Sequence, residues 1–145
     1  MEESLRYSDI LNKWNKERID IRTYSPLTLA YIGDDVYDMV IRSLMIASGN
    51  ASVNKLHQRT AKRVKAESQS FMAHRMTEEG FFDEEELDIY RRGRNAKSHT
   101  IAKNASVSDY RSATGFEAVI GYLYMQDRIG RIYEIIEYGL GFLEE

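Results

Sequence analysis

The sequence predicts an all-α fold of about seven helices. Three observations carry that expectation. The 145 residues contain one proline, so little interrupts long helical stretches. Apolar residues recur at three- and four-residue steps, and no stretch alternates as a strand would. Ser, Asp and Gly stand where helices start and stop. Apolar residues make up 43% and charged residues 30%, the balance of a globular chain able to bury a core.

Each helix has its own signal. A short one is expected at about residues 7–17. Ser25-Pro26-Leu27 then offers an N-cap followed by proline at the first helical position. That second helix runs to about Ser48, with Gly49 as a left-handed stop. Its apolar positions are Leu27, Ala30, Tyr31, Tyr37, Val40, Ile41 and Leu44. Ser52 or Asn54 caps a third helix through residues 55–65, and residues 69–79 continue helically to a stop at Gly80. Asp83-Glu84-Glu85-Glu86 opens the fifth. Acids in its first turn and Arg91-Arg92 in its last match the helix dipole, and Gly93 is its expected stop. Residues 93–107 show no periodicity and read as a loop, long enough to suggest a functional role. Ser108 or Asp109 starts a sixth helix through Ala113, Phe116, Ile120 and Tyr124, and a seventh covers about residues 128–138. No repeat, linker or boundary divides the chain, so residues 1–145 read as a single domain.

Composition removes several function classes. With no cysteine there is no disulfide framework, no thiolate metal site and no cysteine nucleophile, which fits a reducing compartment. No apolar run approaches the ~20 residues that span a bilayer. The N-terminus lacks a signal-peptide core, so the expected location is the cytoplasm, without a membrane partner. The net charge of −3 argues, as a total, against nucleic acid. The distribution reverses that. Residues 55–65 carry five bases and no acid, residues 91–103 carry five more and no acid, and residues 78–88 carry seven acids. A near-neutral sum thus coexists with basic segments able to follow a phosphate backbone.

Two acids stand out. Asp34 shares a helical stripe with Ala30, Tyr31, Tyr37 and Ile41, and Glu117 shares one with Ala113, Ile120, Gly121 and Tyr124. A buried carboxylate costs several kcal/mol unless paired or coordinated. Either acid could pair with a nearby arginine or lie at the edge of its stripe. Two of them on two core helices also suit a shared cation. Oxygen donors without cysteine favour Mg²⁺, with Mn²⁺ as a substitute, and such an ion suggests phosphate-ester chemistry. His57, His74 and His99 lack metal-ligand spacing.

These residues carry a family resemblance. The run Leu29-Ala-Tyr-Ile-Gly-Asp-Asp-Val-Tyr-Asp38 resembles the signature helix of the ribonuclease III catalytic domain, and Phe116-Glu-Ala-Val-Ile-Gly-Tyr-Leu123 resembles its second motif. Arg91-Arg-Gly-Arg-Asn-Ala-Lys-Ser98, Ala102-Lys-Asn104 and Tyr110-Arg-Ser-Ala-Thr114 resemble one branch, Mini-ribonuclease III, which lacks a double-stranded-RNA-binding domain. The likeness covers about residues 27–138. Where longer ribonucleases III carry three further acids, this chain has Leu27, Ala30 and Thr114, as that branch does.

The resemblance implies a homodimer of helical domains cleaving double-stranded RNA by Mg²⁺-dependent phosphodiester hydrolysis, leaving a 5′-phosphate and a 3′-hydroxyl. By their motif match, Asp34 and Glu117 are the metal-binding and catalytic acids. Arg91, Arg92, Arg94, Asn95, Lys97 and Lys103 are assigned to RNA binding, with Lys62, Arg63 and Lys65 as weaker candidates. The family's task implies maturation of the precursor of large-subunit ribosomal RNA, and a ribosomal protein could assist. Other readings stay open: a non-catalytic RNA-binding module, a nucleotide pyrophosphohydrolase built on Glu84-Glu85-Glu86, or a structural helical dimer.

Overall fold

A computed structural model describes residues 3–97 and 106–144. Among them lie seven α-helices and one 3-10 turn: α1 (Tyr7–Lys13), the turn Ile21–Thr23, α2 (Pro26–Ala47), α3 (Val53–Val64), α4 (Ala66–Glu78), α5 (Glu84–Asn95), α6 (Val107–Tyr124) and α7 (Ile129–Leu143). No strand occurs among the described residues. None of these helices is long and apolar enough to cross a membrane.

Local chemistry sets most of the helix starts. The Ser25 hydroxyl accepts from the Thr28 amide ahead of Pro26, and Ser52, not Asn54, does the same for Lys55. Each such cap contributes about 1 kcal/mol. Asp83 and Glu86 form a reciprocal capping box at α5. The cap of α6 is Ser106, two residues before the expected start, because its hydroxyl reaches the Asp109 amide. Gly49 and Gly80 take positive φ, 116° and 69°, as stops do.

Three boundaries differ from expectation. The first helix ends at Lys13, because Asn15 turns left-handed at φ 53°. The last continues to Leu143, with Gly139 packed against the Met72 side chain. Gly93 is not a stop. The helix runs through it to Asn95, so Arg91, Arg92, Arg94 and Asn95 are helical and only Lys97 follows the helix. A Cβ at Gly93 would lie 2.8 Å from the Gly115 Cα, so the residue is small because α6 lies against it.

Helix α6 is the axis of the core. From Ser112 to Tyr124 every residue is buried except Glu117 and Tyr122. The helices α2, α4, α5 and α7 surround it. Phe116 meets Tyr37 edge-on, with ring centroids 5.3 Å apart, inside a cluster that includes Ile41, Met72, Met76, Ile120 and Ile135. An axial helix covered on several sides has few places where a polar side chain can escape. Glu117 occupies one of them.

Candidate active site

Two glycines bring the acids together. A Cβ at Gly33 would lie 1.8 Å from the Glu117 carbonyl oxygen, and one at Gly121 would lie 1.8 Å from the Leu29 carbonyl oxygen. No side chain fits at either position, so the backbones of α2 and α6 touch where they cross. Asp34 follows Gly33, and Glu117 stands one turn before Gly121. The crossing therefore sets Asp34 beside Glu117, and their carboxyl groups are hydrogen-bonded.

The electrostatics are one-sided. Burial, the hydrogen bond to Asp34 and the charge of Asp34 push the Glu117 carboxyl up to about 9, and Asp38 adds to the rise. Gln69 acts the other way and draws the carboxyl down. Asp38, one turn beyond Asp34, is also pushed up by burial and by Asp34, with Arg42 opposing. The Asp38 Oδ1 is buried without a hydrogen-bond partner. Among the described residues no arginine or lysine forms an ion pair with Asp34, Asp38 or Glu117.

The donor set suits a hard divalent cation. Asp34, Asp38 and Glu117 offer carboxyl oxygens, and the excess negative charge calls for a positive partner. No three acidic or histidine side chains among the described residues are arranged to enclose an ion by themselves. Mg²⁺ needs only one or two protein carboxylates, filling its other positions with water and phosphate oxygens. Asp34 and Glu117 meet that requirement. Ala30 beside them is buried and apolar, and the Thr114 hydroxyl is engaged, donating to the Tyr110 carbonyl oxygen at 3.0 Å.

One expectation about Asp34 is corrected. It is exposed, and Tyr31, assigned to the same buried stripe, is 78% exposed. The buried face of α2 runs through Leu29, Ala30, Gly33, Val36, Tyr37 and Ile41. The apolar positions of this helix divide between two faces, so Asp34 sits at the rim of the buried one. Leu44 also belongs to the outer face. Glu117 lies among buried neighbours, as its spacing indicates.

The basic candidates separate into groups. Gly93 packs on Thr114, Gly115 and Ala118, so the basic end of α5 lies against the turn of α6 that carries Glu117. Arg91 and Arg92 there are exposed. Arg94 is half-buried, 5.7 Å from the Tyr90 ring centroid, and donates to Asn95 Oδ1 at 3.3 Å. Lys97 is exposed, and Lys103 lies outside the described residues. Arg63 is held by Glu144 at 3.0 Å and Lys65 by Glu67 at 2.8 Å, whereas Lys62 is exposed without an ion pair among the described residues. Sequence reasoning missed Asp38 and Gln69. Asp38 was visible as an acid four residues after Asp34, whereas Gln69 has no local signal, because its contact with Glu117 joins α4 to α6.

A family model described as Ribonuclease III domain matches residues 27–128, a span that holds both acids and the basic end of α5. The chain belongs to the ribonuclease III family, and that membership makes it an endoribonuclease. Within the family it groups with the Mini-ribonucleases 3. It is 46% identical to Mini-ribonuclease 3 of Clostridium tetani over 127 residues, covering 87% of this chain and 83% of that protein. It is 45% identical to Mini-ribonuclease 3 of Streptococcus pneumoniae over 120 residues, covering 83% and 94%. A crystal structure of a protein from Fusobacterium nucleatum superposes with a TM-score of 0.75 at 31% identity, covering 82% of this chain and 95% of that one.

Proposed function

We propose that this protein cleaves double-stranded RNA by divalent-metal-dependent phosphodiester hydrolysis. One observation carries the reading: the crossing of α2 and α6 sets Asp34 against Glu117 with no cation among the described residues to pair them. Asp34 and Glu117 would hold Mg²⁺, with Mn²⁺ as a substitute. When bound, such an ion lowers the pKa of water and stabilises charge on a reacting phosphate. Glu117 must release its proton before it can serve as an anionic ligand. Asp34, at the rim, is reachable by a large substrate. In-line attack by water would leave a 5′-phosphate and a 3′-hydroxyl.

The basic end of α5 supplies the grip. Arg91, Arg92, Arg94, Asn95 and Lys97 lead away from the turn that carries Glu117, and Lys103 continues the same acid-free segment. Lys62 is the freest of the secondary candidates, because Arg63 and Lys65 are engaged by acids. Contacts to phosphates and 2′-hydroxyls suit an A-form duplex, which is read mostly by shape.

The whole chain is taken as one catalytic domain acting as a homodimer. The outer surface of α2 supports this: Tyr31, Met39 and Ile46 are 78%, 46% and 61% exposed. The substrate we assign is the precursor of large-subunit ribosomal RNA in the cytoplasm, with a ribosomal protein as helper.

Incubating the chain with a perfect RNA duplex, with and without Mg²⁺, tests the reading. Asp34→Asn and Glu117→Gln should stay folded and dimeric and lose cleavage. If either variant cuts at the parental rate, the assigned site is wrong. Binding without Mg²⁺-dependent cleavage by the parent chain would favour a non-catalytic RNA-binding module.

A further inference from the structure

The third helix to meet the acid pair is α4, and it does so through Gln69. This side chain is 1% exposed. A buried carboxamide is costly unless its donors are satisfied. The Gln69 Nε2 donates to the Val64 carbonyl oxygen at 2.9 Å. Its side chain also lies close enough to Glu117 to draw the pKa of that carboxyl down. An amide nitrogen carries two hydrogens, enough for one bond in each direction. Gln69 Oε1 is buried with no partner, so the orientation of the amide rests on its nitrogen.

The anchor at Val64 belongs to a helix end held by side chains. Helix α3 ends there because Lys65 is extended, at ψ 153°. The break frees consecutive carbonyls, and three side chains take them. Ser68 Oγ donates to Lys62 O at 2.6 Å, Tyr37 OH donates to Arg63 O at 2.8 Å, and Gln69 takes Val64. Capping alone does not call for an amide, since Ser68 and Tyr37 cap with hydroxyls. A carboxamide adds a second donor, and Glu117 is the carboxyl close enough to receive it.

We propose that Gln69 is a positioning residue: anchored on the Val64 carbonyl, it fixes the orientation in which Glu117 meets a divalent cation. The inference rests on the assignment of Asp34 and Glu117 as the cation site. Gln69 touches neither the cation nor the substrate. Partners of this kind typically change metal affinity 10- to 100-fold when removed.

The test uses the full chain without RNA. Mn²⁺ is titrated by calorimetry into the parent, Asp34→Asn and Gln69→Met, a variant of similar length without the amide. The parent should bind, Asp34→Asn should not, and Gln69→Met should bind about tenfold more weakly. The Mg²⁺ concentration for half-maximal cleavage should rise by the same factor. The KM for duplex RNA at saturating Mg²⁺ should not change. A glutamine that only caps α3 predicts a lower Tm with parental Mn²⁺ affinity, and that result overturns the proposal alone. A parent that binds no Mn²⁺ overturns both the proposal and the active-site assignment.

If Gln69→Met does not fold, the parent decides. Its ¹⁵N side-chain amide signals can be followed during Mg²⁺ titration. The Gln69 pair should shift, while the Gln126 pair, held by the Tyr122 carbonyl oxygen at 2.9 Å, should not. A Gln69 pair that stays still at saturating Mg²⁺ overturns the proposal.

Discussion

Two glutamates are withdrawn from solvent in this molecule, and their surroundings are opposite. Glu86, on α5, is 0% exposed. Arg131 reaches it from α7 with two hydrogen bonds of 2.8 Å and spends a third, at 2.7 Å, on the Phe81 carbonyl oxygen. The Asp83 amide donates to the same carboxylate at 3.0 Å. Glu117, on α6, faces Asp34 and Asp38. The first carboxylate brings its own cation and fastens α5 to α7. The second lacks one and sits where α2, α4 and α6 converge. A buried acid with a built-in guanidinium is a structural fastening. A buried acid set against other acids has the chemistry of a site awaiting a partner, which is the role proposed for it.

Exchanging the two roles should give opposite phenotypes. Glu117→Gln should reduce cleavage by more than about a hundredfold, since a ligand matters more than the partners behind it, and leave the Tm of the metal-free protein unchanged or higher. Glu86→Gln should leave cleavage intact well below the melting temperature but cost about 3 kcal/mol, because Arg131 loses its charged partner. That corresponds to a fall in Tm of about 10 °C. Calorimetric melting alongside a duplex-cleavage assay checks both. Equal losses of activity and stability in the two variants would erase the distinction.

Next in size is the crossing that creates the acidic site. Gly121→Ala puts a methyl group 1.8 Å from the Leu29 carbonyl oxygen, so the helices must separate. A loss of about 3 kcal/mol or more is expected, with cleavage lost as Asp34 and Glu117 part. Gly130→Ala, where nothing lies within 4 Å of the new methyl, is the control.

The pH dependence separates the glutamates more finely. The folded-state pKa of Glu117 is raised, from 4.5 to about 9. Its contribution to stability is therefore full below about pH 4.5 and is lost progressively as pH rises towards 9. Melting in EDTA should show this as a slope of at most about 1.4 kcal/mol per pH unit, absent in Glu117→Gln. Over the same range apparent Mg²⁺ affinity should rise, because the proton and the cation compete for one carboxyl.

The smallest effect belongs to the basic end of α5. Arg91→Ala should weaken duplex binding a few-fold and reduce the slope of log affinity against log salt by roughly one. A salt series by filter binding or fluorescence anisotropy checks it, and an unchanged slope would remove Arg91 from the interface.

Some of this was legible in the chain alone because the physics is local. The caps at Ser25 and Asp83 act over three residues, and the stop at Gly49 acts at one. The acid-free basic segments are matters of counting. The motif match singled out Asp34 and Glu117, and the apolar spacing around Glu117 also marked its buried surroundings. The same spacing misplaced Asp34, because a 3.6-residue period shows that an apolar stripe exists, not which face a neighbour covers. Gly93 misled in a similar way. A glycine near a helix end signals a stop, but one pressed on Gly115 is a packing contact, and the two look alike until α6 is in place.

The sequence by itself therefore determined the helical class and most of the helix starts, since each depends on neighbours three or four residues away, and its motifs and charge pattern singled out two acids and a basic segment. Tertiary structure decided the rest. It paired Glu86 with Arg131, it drew Gln69 to Glu117, and it closed α2 on α6 through Gly33 and Gly121. Those contacts join residues dozens of positions apart, and the pKa of Glu117 follows from them, because burial and an opposing carboxylate come into being only when the helices cross.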